Sequence, residues 1–205
     1  MVDKYERFTL WYLRLNGYLT VPNYILHPLR PGGQRGEVDI LGVRFPHSQE
    51  EAGDMMDNDN CLVLRDADEI DFIIVEVTRS DCKINDLWEK PDRADQREYI
   101  LKWLGMLDPK DVSRVAEVLC SEKRYRDDKQ SIRLVSLGAK KSKYLSNSVV
   151  QLTFDHVYDF INERLSQFNR IKRDVPQWDE FDRKLLSWVS KSKQEFLDWL
   201  RASSN

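Results

Sequence analysis

The chain has 205 residues, a third of them charged, with a mean hydropathy of −0.61. No apolar run is long enough for a helical membrane span, and the N-terminus has no apolar signal core, so the expectation is a soluble, cytoplasmic protein with no membrane partner. The net charge of −3 excludes a uniformly basic nucleic-acid binder but conceals an uneven distribution: residues 47–81 carry eleven acids against two bases, and residues 120–144 carry eight bases against three acids. A basic binding face therefore remains compatible with the near-neutral total.

Asp3 to Asn16 reads as the first helix. Tyr5, Phe8, Tyr12 and Leu15 recur at helical spacing, Asp3 with Glu6 forms a capping-box pattern, and Gly17 is a stop. Val21 to Leu26 reads as a short strand, 28–36 as a turn, and Gly36 to Val43 as a second strand. His47 to Asn60 is an acidic loop, a lid or an insertion, long for a plain connection. A small extra strand is expected at Cys61 to Leu64, then the strand Asp71 to Thr78. After an irregular stretch from Ser80 to Asp92 come helices at Arg93 to Leu107 and Lys110 to Leu119. Ser131 to Leu137 and Val149 to Thr153 read as strands around a basic connection, and Phe154 to Phe168 as a helix. One last helix runs from Pro176 to Arg201, its stripe made by Trp178, Phe181, Leu185, Trp188, Phe196 and Trp199. The order is helix, three strands, helix, strand, strand, helix. It predicts an α/β (α+β) sandwich with a mixed central sheet over residues 1–170 and a C-terminal helical extension over 171–205. That extension is packed on the domain or, alternatively, sits at a homodimer contact.

Two strands carry a carboxylate where a buried strand should carry none. Asp39 is flanked by Val38 and Ile40, and Glu76 by Val75 and Val77. An unpaired carboxylate there costs several kcal/mol or is neutralised. Two such acids on neighbouring strands suit a shared divalent cation, Mg²⁺ or Mn²⁺, bound through oxygen ligands. The plainer reading is a structural ion pair, with Arg44 or Arg79 the candidate partner of Glu76. Cys61, Cys82 and Cys120 are scattered without metal-ligand or disulfide spacing and read as reduced thiols. His27, His47 and His156 share no ligand spacing and read as structural or exposed.

Glu6, the run Gly36-Glu37-Val38-Asp39 and the run Ile74-Val75-Glu76-Val77-Thr78-Arg79, in this order, resemble the PD-(D/E)XK nuclease superfamily. The likeness is to the branch of Holliday junction resolvases and Mrr-like or restriction-type endonucleases. It covers residues 3 to 137 and implies a restriction-endonuclease-like fold and metal-dependent hydrolysis of DNA phosphodiesters, in restriction, defence, repair or recombination. It implies Asp39 and Glu76 as metal ligands, the backbone carbonyl of Val77 as a further ligand, and Glu6 as a helix-borne acid at the metal. The departure is Thr78, where the family has Lys. Arg79 or Lys83 is the candidate replacement cation, with Lys90 and Lys102 further away. Gln96 and Tyr99 resemble the Gln-and-Tyr motif of RecB-like nucleases, one residue short of its spacing.

If DNA is the partner, Lys123, Arg124, Arg126, Lys140, Lys141 and Lys143 are the phosphate-contacting candidates. Otherwise they are a solvated surface. Trp88 and Trp103 read first as core, and as groove-flanking only in a nucleic-acid binder. The rival functional readings are a catalytically inactive DNA-binding or assembly module of the same fold, favoured by the missing Lys, and a protein–protein adaptor.

Overall fold

The computed structural model describes residues 3–26, 36–48, 57–64, 68–167 and 180–202. It is a six-stranded mixed sheet between two helical layers. Most of the expected turn at 28–36, most of the acidic loop, and the start of the C-terminal segment including Trp178 lie outside the described residues.

Helix α1 (Lys4–Leu15) starts as its sequence requires. The Asp3 carboxylate accepts the amides of Tyr5 and Glu6, and Glu6 returns a bond to the Asp3 amide, closing the capping box. It ends in a Schellman motif: the Gly17 amide donates to Arg14 and the Tyr18 amide to Leu13, with Gly17 at φ +79°. Strands β1 (Leu19–Leu26), β2 (Gly36–Arg44) and β3 (Ile70–Val77) form an antiparallel meander. The crossover carries the short helix α2 (Asp86–Glu89), then α3 (Ala94–Leu104) and α4 (Val112–Glu122). It leads to β5 (Gln130–Gly138), parallel to β3.

The far edge of β5 is shared. The start of β5 pairs antiparallel with β4 (Arg124–Arg126), and its end pairs parallel with β6 (Val150–Thr153). Sequence reading missed β4, a three-residue strand in which Tyr125 between two arginines makes no apolar run. Helices α5 (Phe154–Gln167), α6 (Glu180–Val189) and α7 (Lys193–Arg201) complete the chain. The single C-terminal helix expected to Arg201 is two helices. The break falls before Ser192, whose hydroxyl and backbone form a second capping box with Glu195. The extra strand expected at Cys61–Leu64 is instead a 3-10 turn over Asn60–Leu62.

Ile73 and Val75 of β3 pack under α1, α5 and α7, while Ile74 packs under α2, α3 and α4. Both faces of β3 are thus covered, which is why its sequence is an apolar run. Phe196, Leu197 and Leu200 of α7 join Tyr5, Phe8 and Tyr158 in the first of these cores, and Trp188 stacks on Trp199 at 5.5 Å. The described part of the C-terminal extension is therefore packed on the domain. Among the described residues, no helix is long and apolar enough to cross a membrane.

Candidate functional site

The β2–β3 register pairs Ile40 with Val75. Continued by one step, it sets Asp39 opposite Glu76, where directly opposed side chains share a sheet face. The strand is irregular here. Val38 and Ile40 should face the same way, yet they pack in opposite cores. On β1, Asn23 sits beside this point at φ +49°, outside the paired register. In place of a backbone ladder bond, the Asp39 carboxylate accepts the Val77 amide at 2.7 Å. Asp39 thereby ties β2 to the end of β3.

Glu76 is 7% exposed. It accepts one bond, from the buried Trp88 indole at 3.2 Å. Trp88 is itself fixed: Lys123 donates to its carbonyl at 2.7 Å, and buried Arg97 ties α2 to α3 and α4 through Leu87, Lys90 and Ala116. Burial, followed by the charge of Asp39, pushes Glu76 up to about 8. Burial also raises Asp39, opposed by its bond from Val77 and reinforced by Glu37 and Asp3. Glu6 rises to about 6, chiefly by burial, with Asp3, Asp39 and Glu37 adding to the effect. Glu6 therefore serves the capping box and lies within the field of the acid pair.

No described Lys or Arg forms an ion pair with Asp39 or Glu76. Arg44, a candidate partner of Glu76, goes to Asp71 instead. Arg79 reaches Asp3 at 3.3 Å and lies over the Tyr5 ring. Asp71 shows how this chain builds a structural buried carboxylate. It is fully buried between Arg133, with Nε at 3.1 Å, and Arg44, and takes the Tyr18 hydroxyl as well. Asp39 and Glu76 have no such cations.

The candidate replacements for the missing Lys stand apart from the acids. The Thr78 hydroxyl donates to the carbonyls of Asp81 and Leu137, at 2.9 and 3.2 Å, as a backbone staple. Lys83 is exposed, between buried Cys82 and Ile84. Lys90 and Lys102 pair with Asp86 and Glu98. The basic candidates divide. Lys123 is half-buried in the backbone contacts above, and Arg126 pairs with the buried Glu69. Arg124, Lys140, Lys141 and Lys143 are exposed. Lys140 follows β5 at the sheet end where β3 delivers Glu76, and its backbone forms an isolated parallel β-bridge with Asp81 there. Of the two tryptophans, Trp88 is core and Trp103 is 66% exposed.

Hard oxygen donors on adjacent strands suit Mg²⁺ or Mn²⁺, which accept one or two carboxylates and keep several waters. The acids do not form a tight cage. Among the described residues, the one trio of His, Cys, Asp or Glu ligand atoms within 4.8 Å of one another is Asp59, Cys61 and His156. That trio brings Cys61 and His156 side by side. They are far apart in sequence, so no local spacing marks them. Comparison with known proteins yields no matching family model, curated protein or solved structure.

Proposed function

We propose that this chain is a PD-(D/E)XK-like domain of restriction-endonuclease type that binds Mg²⁺ or Mn²⁺ through Asp39 and Glu76 and hydrolyses DNA phosphodiesters. The observation that carries this reading is the acid pair of buried Glu76 and half-buried Asp39 without a basic partner, in a chain that gives its fully buried Asp71 two arginines. The order of one helix, a three-stranded meander, a helical crossover and a parallel strand supports it. So do the exposed lysines 140, 141 and 143, which lie in the connection that leaves β5 at the acids' end of the sheet.

A bound divalent ion supplies charge neutralisation at phosphate and activation of water. The chain's own part is positional. Asp39 is oriented by the Val77 amide, Glu76 by Trp88, and Glu6 adds a third carboxylate from the first turn of α1. On this reading Arg79, paired with Asp3 beside α1, is the candidate cation for a phosphate.

Thr78 favours a second reading. Its hydroxyl is committed to two carbonyls, so the position that carries Lys in the resembled family has no charge here. On that reading the domain binds DNA and does not cut it.

The test is incubation of supercoiled and branched DNA with the full chain in Mg²⁺ or Mn²⁺. The nuclease reading expects nicking that falls to background in Asp39→Asn and Glu76→Gln while the fold survives. Salt-dependent DNA binding without nicking, together with nicking gained by Thr78→Lys, would establish the second reading. Absence of DNA binding at low salt would remove both.

A further inference from the structure

The segment Asp57 to Leu62 is held from four sides. Arg164 of α5 donates to the Asp57 carbonyl. The Asn16 side chain accepts the Asp59 amide at 2.7 Å. Arg133 and Arg44 donate to the Leu62 carbonyl. Within the segment, one Asp59 oxygen accepts the Cys61 amide at 2.8 Å and caps the 3-10 turn. The other oxygen faces His156 Nε2 of α5 at 2.6 Å. The Cys61 side chain completes the trio from the exposed side, and the three ligand atoms lie within 4.8 Å of one another. A cleft of about 520 Å³ opens beside them, lined by Asp57, Asp59, His156, Asp159 and Glu163 among others.

We infer that Asp59, Cys61 and His156 form a second metal site, chemically distinct from the acid pair and selective for a borderline transition-metal ion, Zn²⁺ foremost. The donor set is one thiolate, one imidazole and one carboxylate. Thiolate and imidazole select Zn²⁺ over Mg²⁺, whereas carboxylates alone do not. Usual bond lengths place tetrahedral zinc ligand atoms about 3.3–3.8 Å apart. The trio reaches that spacing by small side-chain rotations: the Asp59–His156 pair opens and the Cys61 thiol swings in. Asp59 is 7% exposed and anchored through its own backbone, so the carboxylate is preorganised and Cys61, at the surface, is the ligand that adjusts. On binding, the thiol proton passes to solvent, the Nε2 proton of His156 leaves to solvent with the neutral ring keeping its proton on Nδ1, and the ion takes the place of the Asp59–His156 hydrogen bond. Three protein ligands leave a fourth position for water or for a donor entering the cleft. Bound metal would clamp the 57–62 segment to α5. The competing possibility is a hydrogen-bonded Asp59–His156 pair beside an unrelated thiol, which has no thiolate–metal signature.

The test is a Co²⁺ titration of the chelator-treated full chain, followed by absorption spectroscopy. The expected result is one equivalent that carries a thiolate-to-cobalt charge-transfer band and tetrahedral ligand-field bands, both displaced by Zn²⁺, whereas an equivalent taken by the acid pair carries no thiolate band. Cys61→Ser removes the charge-transfer band, and His156→Gln weakens binding by about 100-fold or more. Cys120→Ser and Glu76→Gln keep the signal, which separates this site from the other thiols and from the acid pair. Cys61 is exposed, so its replacement leaves the core intact, and circular dichroism confirms the fold of each variant. Absence of the band in the folded wild type, or its persistence in Cys61→Ser, would overturn the site.

Discussion

Asp71 and Glu76 lie on the same strand and both are withdrawn from water, yet the chain treats them in opposite ways. Asp71 receives two guanidinium groups and a phenol, while Glu76 receives one indole N–H and a like charge across the ladder. The difference has consequences for stability. For Glu76 the folded-state value of about 8 exceeds the ordinary 4.5, so the folded chain holds a proton that the unfolded chain releases between those values. Metal-free stability therefore falls as pH rises from about 4.5 to about 8. With one unit worth about 1.4 kcal/mol, the cost at pH 8 is on the order of 4 kcal/mol. Thermal melts in chelator should show Glu76→Gln more stable than wild type at pH 8 and nearly equal at pH 5, and Mg²⁺ should stabilise the wild type alone. Asp71→Asn should behave differently, leaving two buried guanidinium groups undercompensated and costing about 3–5 kcal/mol in urea unfolding at neutral pH. The apolar neighbours of Asp39 and Glu76 made these acids conspicuous in the sequence. The role of Asp71 was not legible, because Tyr18, Arg44 and Arg133 reach it from three other strands or turns.

At the scale of elements, the sequence signals with local causes were reliable. The capping box and Gly17 bound α1 where expected, and the apolar run produced β3 with both faces covered. Signals that depend on long-range contact were not legible. The helical stripe runs on past Val189, and the break comes from the Ser192 cap, which a periodicity reading overlooks. The segment after β3 is shaped by close approach to β5: a Cβ at Gly138 would lie 2.6 Å from the Ser80 carbonyl oxygen and 2.7 Å from the Cys82 amide nitrogen. Both are backbone atoms and cannot yield cheaply. Gly138→Ala should therefore push residues 80–82 away, loosen the Thr78 staple, and cost about 1–3 kcal/mol in denaturant unfolding. It should also weaken metal binding at the neighbouring acids, although it changes no ligand.

Over the whole molecule, charge is sorted by function more than its total of −3 suggests. Several cations that looked available in sequence are structural: Lys123 holds Trp88, Arg126 pairs with Glu69, and Arg44 and Arg133 pair with Asp71. Among the described residues, the exposed cations around the acids' end of the sheet include the group Lys140, Lys141 and Lys143. Their joint replacement by Glu should weaken DNA binding uniformly across sequences and flatten its salt dependence, read by fluorescence anisotropy at several salt concentrations. The proposed function stands or falls on the acid pair. The most direct measurement is calorimetric titration of Mg²⁺ and Mn²⁺ into the full chain in a Cys61→Ser background, which takes the thiol ligand out of the Asp59–His156 group. One equivalent bound, and lost in both Asp39→Asn and Glu76→Gln with the fold retained, is the predicted result. Binding that survives both substitutions, or no binding to the folded parent with DNA present, would contradict it.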